Sequence, residues 1–252
     1  MKRLLPVAIL ALFIAQANAL DFGTLKDAIK SSGNSSTTTS TNSGAGVGSL
    51  SNDEASGGLK EALTQGVGKA VATLGAADSF LGNKDVKIPL PKSLKKIEKA
   101  MKLVGMGKQS DELVLKMNRA AEAAVPEAKV LLVDSVKQMT LADARAILTG
   151  PNDAATQYFK RTTSAKMSEK FLPIVTKATE NVQLAASYNK YAEMGSKFGV
   201  VKKEDANIEQ YVTNKALDGV YLMIAKEEAA IRTNPLGQAS SLLKKVFGAI
   251  GK

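Results

Sequence analysis

Residues 208–232 read IEQYVTNKALDGVYLMIAKEEAAIR, and their spacing decides the fold. Leu217, Tyr221, Ile224 and Glu228 recur at three- and four-residue steps, the period of one helix face. Val220-Tyr221-Leu222-Met223-Ile224-Ala225 is apolar all round, the mark of a helix buried on most sides. The segment predicts the longest uninterrupted helix of the chain, stopped before Asn234-Pro235. Asp218 and Glu228 bracket the apolar section, and Arg232 follows Glu228 by one turn. A carboxylate on an apolar stripe must be paired, hydrogen-bonded or protonated, because burying it bare is very costly. Asp218 and Glu228 are therefore expected to meet Arg119, Arg232 or both, either as a structural polar network or as a ligand site.

The same period runs back through the chain. Leu59, Leu63, Val67, Val71 and Leu74 form a stripe that stops at Gly75, and Leu94, Ile97, Met101 and Val104 form another, ended by Gly105. Between them Ile88-Pro89-Leu90-Pro91 reads as an extended apolar connector, because each proline drives its predecessor out of helical geometry. Ser110 or Asp111 is expected to cap a helix through Met117 to Ala124, and Pro126 suits the first turn of the next. Thr140-Leu141-Ala142-Asp143 has capping-box spacing and opens a helix closed by Gly150-Pro151. Asn152 or Asp153 caps a further segment, which Pro173 is expected to kink or restart. Residues 240–250 read as a last amphipathic helix. Strand-period alternation is nowhere sustained and no internal repeat is evident, so the expected fold is all-α, one multi-helix domain.

The domain is expected to span residues 59–252. Ahead of it, Met1-Lys2-Arg3, an apolar run from Leu4 to Ile14 and Ala17-Asn18-Ala19 have the three-part pattern of a signal peptide cleaved near Ala19. Residues 20–58 read as a short helix followed by a Ser/Thr/Gly-rich flexible linker. The expected product is soluble and periplasmic, with no transmembrane segment. Its formal charge of +10 falls to +8 when Lys2 and Arg3 leave with the signal. A basic surface outside the cytoplasm suits an anionic envelope component, a small ligand or a protein partner, and nucleic acid is the weaker expectation.

The chain has no cysteine and no histidine. Disulfides, ordinary zinc, copper or haem sites and histidine-based nucleophile systems are thereby excluded, and no cofactor is expected. The surviving acid–base chemistry belongs to carboxylates, Lys, Tyr or a Ser-Lys pair. Cleavage of cell-envelope glycan needs only one or two carboxylates and remains the enzymatic alternative. Against it stands the absence of Trp and the presence of only five Tyr, where sugar clefts usually offer aromatic platforms.

Two constellations remain. In Asn118-Arg119-Ala120-Ala121-Glu122-Ala123-Ala124 the alanines let other backbones approach, and Arg119 and Glu122 are spaced to pair. Lys92, Lys95, Lys96, Lys99 and Lys102 lie opposite Leu94, Ile97, Met101 and Val104, while Lys244 and Lys245 lie opposite Leu242, Leu243, Val246, Phe247 and Ile250. Both stretches suit either core packing with solvated lysines or an anionic membrane surface.

The succession Gly58-Leu59-Lys60-Glu61-Ala62-Leu63, Ile88-Pro89-Leu90-Pro91, Met117-Asn118-Arg119-Ala120-Ala121-Glu122, Asp218-Gly219-Val220-Tyr221 and Glu227-Glu228-x-x-Ile231-Arg232-x-Asn234-Pro235 resembles the exported proteobacterial domain-of-unknown-function family DUF4197. The resemblance extends from Gly58 to Phe247 and implies a helical periplasmic domain with no assigned activity. Its pattern runs through Asn118, Arg119, Glu122, Asp218, Glu228 and Arg232. The first functional expectation is a non-enzymatic protein binding a ligand or partner through those residues. A carboxylate-dependent hydrolase is the alternative, and a membrane-surface or scaffold role comes third.

Overall fold

The computed structural model describes residues 51–234, apart from 104, 106, 198, 200, 203 and 204. The expected signal peptide, the short leader helix and the amphipathic segment 240–250 lie outside the described residues. Within them the chain forms one helical domain with no strand: α1 Asn52–Leu74, α2 Lys92–Leu103, α3 Gly107–Ala124, α4 Pro126–Gln138, α5 Leu141–Thr149, α6 Ala154–Thr179, α7 Gln183–Lys197 and α8 Ile208–Thr233.

Local sequence chemistry sets most of the boundaries. Helix α1 starts at Asn52 because Ser51 and Glu54 form a reciprocal capping box, and it stops at Gly75. The helix expected from Leu59 thus begins earlier, with Gly57 and Gly58 inside it. Pro126 opens α4, and the Thr140/Asp143 box opens α5. Helix α3 departs from expectation, starting at Gly107 after Gly105 turns the chain at φ 80°. Ser110 is consequently not a cap but a fully buried residue of the first turns.

Helix α6 also departs from expectation, since it runs without a break through Pro173 and, at 26 residues, equals α8 in length. Proline removes one backbone donor, leaving the carbonyl of Glu169 without its helical partner. Glu169 and Pro173 are both exposed, while Phe171 and Val175 bury completely and hold the helix on the core.

Helices α6 and α8 pack against each other and α3 packs against both, while α1 lies against α4, α5 and α8. The α3 alanines at 120, 121 and 124 are fully buried and let its neighbours come close. Every member of the α1 stripe, Leu59, Leu63, Val67, Val71 and Leu74, is in the core. The 75–91 connector closes one side of the bundle by inserting Phe80, Val86, Ile88 and Leu90. Phe80 needs the glycine of α8, because a Cβ on Gly219 would lie 2.8 Å from Phe80 Cε1. No helix among the described residues is long and apolar enough to cross a membrane.

Candidate functional site

The six polar residues singled out in the sequence separate into two networks and one surface pair. The first network joins α8 to the start of α6. Helix α6 has Asp153 at its N-cap position with no side-chain cap bond, so its first N–H groups need acceptors from elsewhere. Glu228 supplies them. Its Oε1 accepts Ala155 N–H at 3.0 Å, and its Oε2 accepts Thr156 N–H and Thr156 Oγ1, each at 2.9 Å. Arg232, one turn along α8, donates to Glu228 Oε1 from Nε at 3.2 Å and Nη2 at 2.9 Å, and Nη2 also reaches the carbonyl of Ile147 at 2.9 Å. The positive end of the α6 dipole adds to the guanidinium charge. The adjoining cavity holds about 10 Å³, room for no more than a single water.

The second network straps the 75–91 connector onto α3. Asn118 is fully buried and uses its whole amide: Oδ1 accepts Ile88 N–H at 2.8 Å, and Nδ2 donates to Ile88 O at 2.9 Å and Val114 O at 2.7 Å. One turn on, Glu122 Oε1 accepts Phe80 N–H at 3.1 Å, and Oε2 accepts Arg119 Nη1 at 2.7 Å. Arg119 Nη2 then donates to Asp78 Oδ1 at 2.8 Å, at a connector residue whose φ is 63°. The Glu122 carboxylate raises the Arg119 guanidinium further above its ordinary pKa.

Asp218 corrects the expectation that it would meet Arg119 or Arg232. It is exposed, and it accepts from Lys215 at 3.1 Å. The stretch Val220–Ala225 is likewise less enclosed than expected, with Leu222 on the outside. Glu228, Arg232, Asn118 and Glu122 direct their polar atoms at other protein groups.

The open concave surfaces lie elsewhere. A cavity of about 370 Å³ between α4, α5 and α6 is lined by Asp134, Asp143, Tyr158, Arg161 and Lys166 among others. Hydrogen bonds from the Thr140 hydroxyl and N–H hold Asp143 below the ordinary carboxylate range, and Asp134 is paired with Lys137 at 3.0 Å.

A larger cleft of about 600 Å³ lies between the start of α2, the residues Val201, Lys202 and Asp205, and α8. Pro89, Leu90 and Val201 give it apolar surface, and Lys92, Lys95, Lys202 and Lys215 line it together with Asp205, the one carboxylate among its described lining residues. Tyr211 pins one wall by donating to Pro89 O at 3.0 Å. Tyr188 pins another through Asp205 O at 2.5 Å and a 2.9 Å contact with Ser93 Oγ. Burial pushes the Tyr211 hydroxyl up to about 12, with the neighbouring Asp205 adding to the effect, so it remains a donor throughout the neutral range. From the sequence, Lys92 and Lys95 read only as one face of an amphipathic helix. Their proximity to Lys202 and Lys215 depends on chain reversals among α2, α7 and α8 that no local pattern announces.

A family model described as Protein of unknown function (DUF4197) matches residues 49–248, a span that takes in the eight helices of the described residues, both networks and the cleft. No curated protein and no solved structure matches the chain.

Proposed function

The chain belongs to the DUF4197 family, and from that footing we propose that it is a non-enzymatic binding protein whose site is the lysine-rimmed cleft between α2 and α8. The supporting observation is the charge of that cleft. Among the described residues, four lysines, of which Lys215 is also paired with Asp218, and one aspartate line a cavity of about 600 Å³, within the usual size range of small-molecule sites. Lysine heads around partly apolar walls attract anions and orient them. The proposed place of action is outside the cytoplasm, supported by the signal-peptide pattern of Met1 to Ala19.

Titration with inorganic pyrophosphate, followed by amide chemical shifts and calorimetry, tests this function. Shifts should concentrate at Ser93, Lys95, Lys202 and Tyr211, weaken as salt rises, and shrink at least tenfold in affinity in the double variant Lys92→Gln, Lys95→Gln. A response spread over the surface, or insensitive to these two lysines, would show that the cleft is not the site.

A further inference from the structure

The cleft shares its wall with a second opening. Pro89, Leu90 and Lys95 line both, and the second, of about 510 Å³, continues on their other side against Leu81, Val114 and Leu115. The two halves differ in charge. Among the described residues, Lys92, Lys95, Lys202 and Lys215 outnumber Asp205 in the first, whereas Lys87 and Lys95 are matched by Glu98 and Asp111 in the second. Leu115 remains 39% exposed on the wall of the electrically balanced half. A cationic compartment beside a charge-balanced one that Leu81, Val114 and Leu115 also line, with a shared wall of Pro89 and Leu90, complements a molecule whose charge and hydrocarbon lie at opposite ends.

We infer that the ligand is an amphiphilic anion, a single hydrocarbon chain bearing a carboxylate or phosphate head. The head lies among Lys92, Lys95, Lys202 and Lys215, and the chain crosses Pro89 and Leu90 towards Val114 and Leu115. This rests on the proposed anion-binding function of the first opening and goes beyond it by assigning the second.

The test is calorimetry with acetate, hexanoate, octanoate and decanoate, all below micelle-forming concentrations, beside inorganic pyrophosphate and decyltrimethylammonium. Affinity should rise about two- to fourfold per added methylene, and the cation of equal chain length should not bind. Leu115→Asn alters an exposed residue without adding charge and should keep the native circular dichroism. It should flatten the chain-length series while leaving pyrophosphate binding unchanged. Lys92→Gln with Lys95→Gln should weaken every anion.

A flat series with pyrophosphate still bound would overturn the amphiphile and leave the anion cleft standing. Failure of every anion would remove both. Equal binding of decyltrimethylammonium would remove the role of the head group. Sedimentation with phosphatidylglycerol vesicles without any response to monomeric decanoate would assign this face to a bilayer and overturn the single-molecule site.

Discussion

Glu228 on α8 caps α6 from outside that helix, its Oε2 accepting both the backbone N–H and the hydroxyl of Thr156, 72 positions earlier in the chain. A helix start whose own N-cap side chain makes no cap bond is thereby completed by a distant glutamate, and the two longest helices are joined at that point. Arg232 balances the charge and carries the connection on to the last turn of α5.

Removing the carboxylate leaves Arg232 without its buried partner and the first N–H groups of α6 without acceptors. Breaking a buried pair from one side costs about 3–5 kcal/mol, so Glu228→Ala should lower the unfolding free energy by about that much in urea titration. Glu228→Gln keeps an acceptor oxygen near α6 and should cost less. Equal stability of Glu228→Ala and the parent chain would mean that this network does not hold the fold.

The share of this arrangement visible in the sequence follows from the range of each interaction. Glu228 and Arg232 stand one turn apart, and a carboxylate on the stripe Leu217, Tyr221, Ile224 had to find partners. That those partners are the first amides of α6 depended on how α6 and α8 pack, which no local spacing encodes. Asp218 was grouped with Glu228 because both flank the apolar section. Ten residues at about 100° each leave them about 80° apart around the helix, and only Glu228 continues the buried stripe. The α5 capping box and the α1 stripe were legible because every contact that defines them is local or periodic. The lysine cleft was not, since it is assembled from three separated segments.

Beside Asp218, Gly219 has a requirement of its own. Its missing Cβ is replaced by the edge of Phe80, and Val86 stands 3.5 Å from the same point. Phe80 is fully buried and has no open side to move into. Gly219→Ala should therefore destabilise by about 1–3 kcal/mol through overpacking, despite alanine's better helix propensity. Thermal unfolding of this variant beside Gly68→Ala separates the effects. A Cβ at Gly68 meets nothing within 4 Å, so that control should be neutral or stabilising.

Asn118 governs the connector that forms the cleft wall. Asn118→Ala strands the N–H and carbonyl of Ile88 in a buried position, at about 1–3 kcal/mol for each unsatisfied group. Hydrogen exchange should accelerate at the Ile88 amide well before the α6 and α8 amides respond. Anion affinity should fall with it, because Pro89 and Leu90 follow directly. Unchanged exchange at Ile88 would contradict the strap described for α3.

Tyr211 links stability to alkaline pH at the same wall. Its hydroxyl donates to Pro89 O, and burial raises its pKa from 10.0 to about 12. A group whose folded pKa lies above its unfolded value contributes stability that is complete below the unfolded value and is lost as pH rises through the folded one. The contribution should thus be intact below pH 10 and should disappear towards pH 12. Tyr211→Phe removes the titrating group, so its unfolding free energy should decline less across that interval, while at neutral pH it should be lower by about 0.5–1.5 kcal/mol for the lost hydrogen bond. Tyrosinate absorbance supplies an independent reading. Tyr188 is also raised by burial, and the ionisation step near pH 12 should vanish in Tyr211→Phe. The same step retained in that variant would place the elevated hydroxyl elsewhere and detach alkaline stability from the cleft wall.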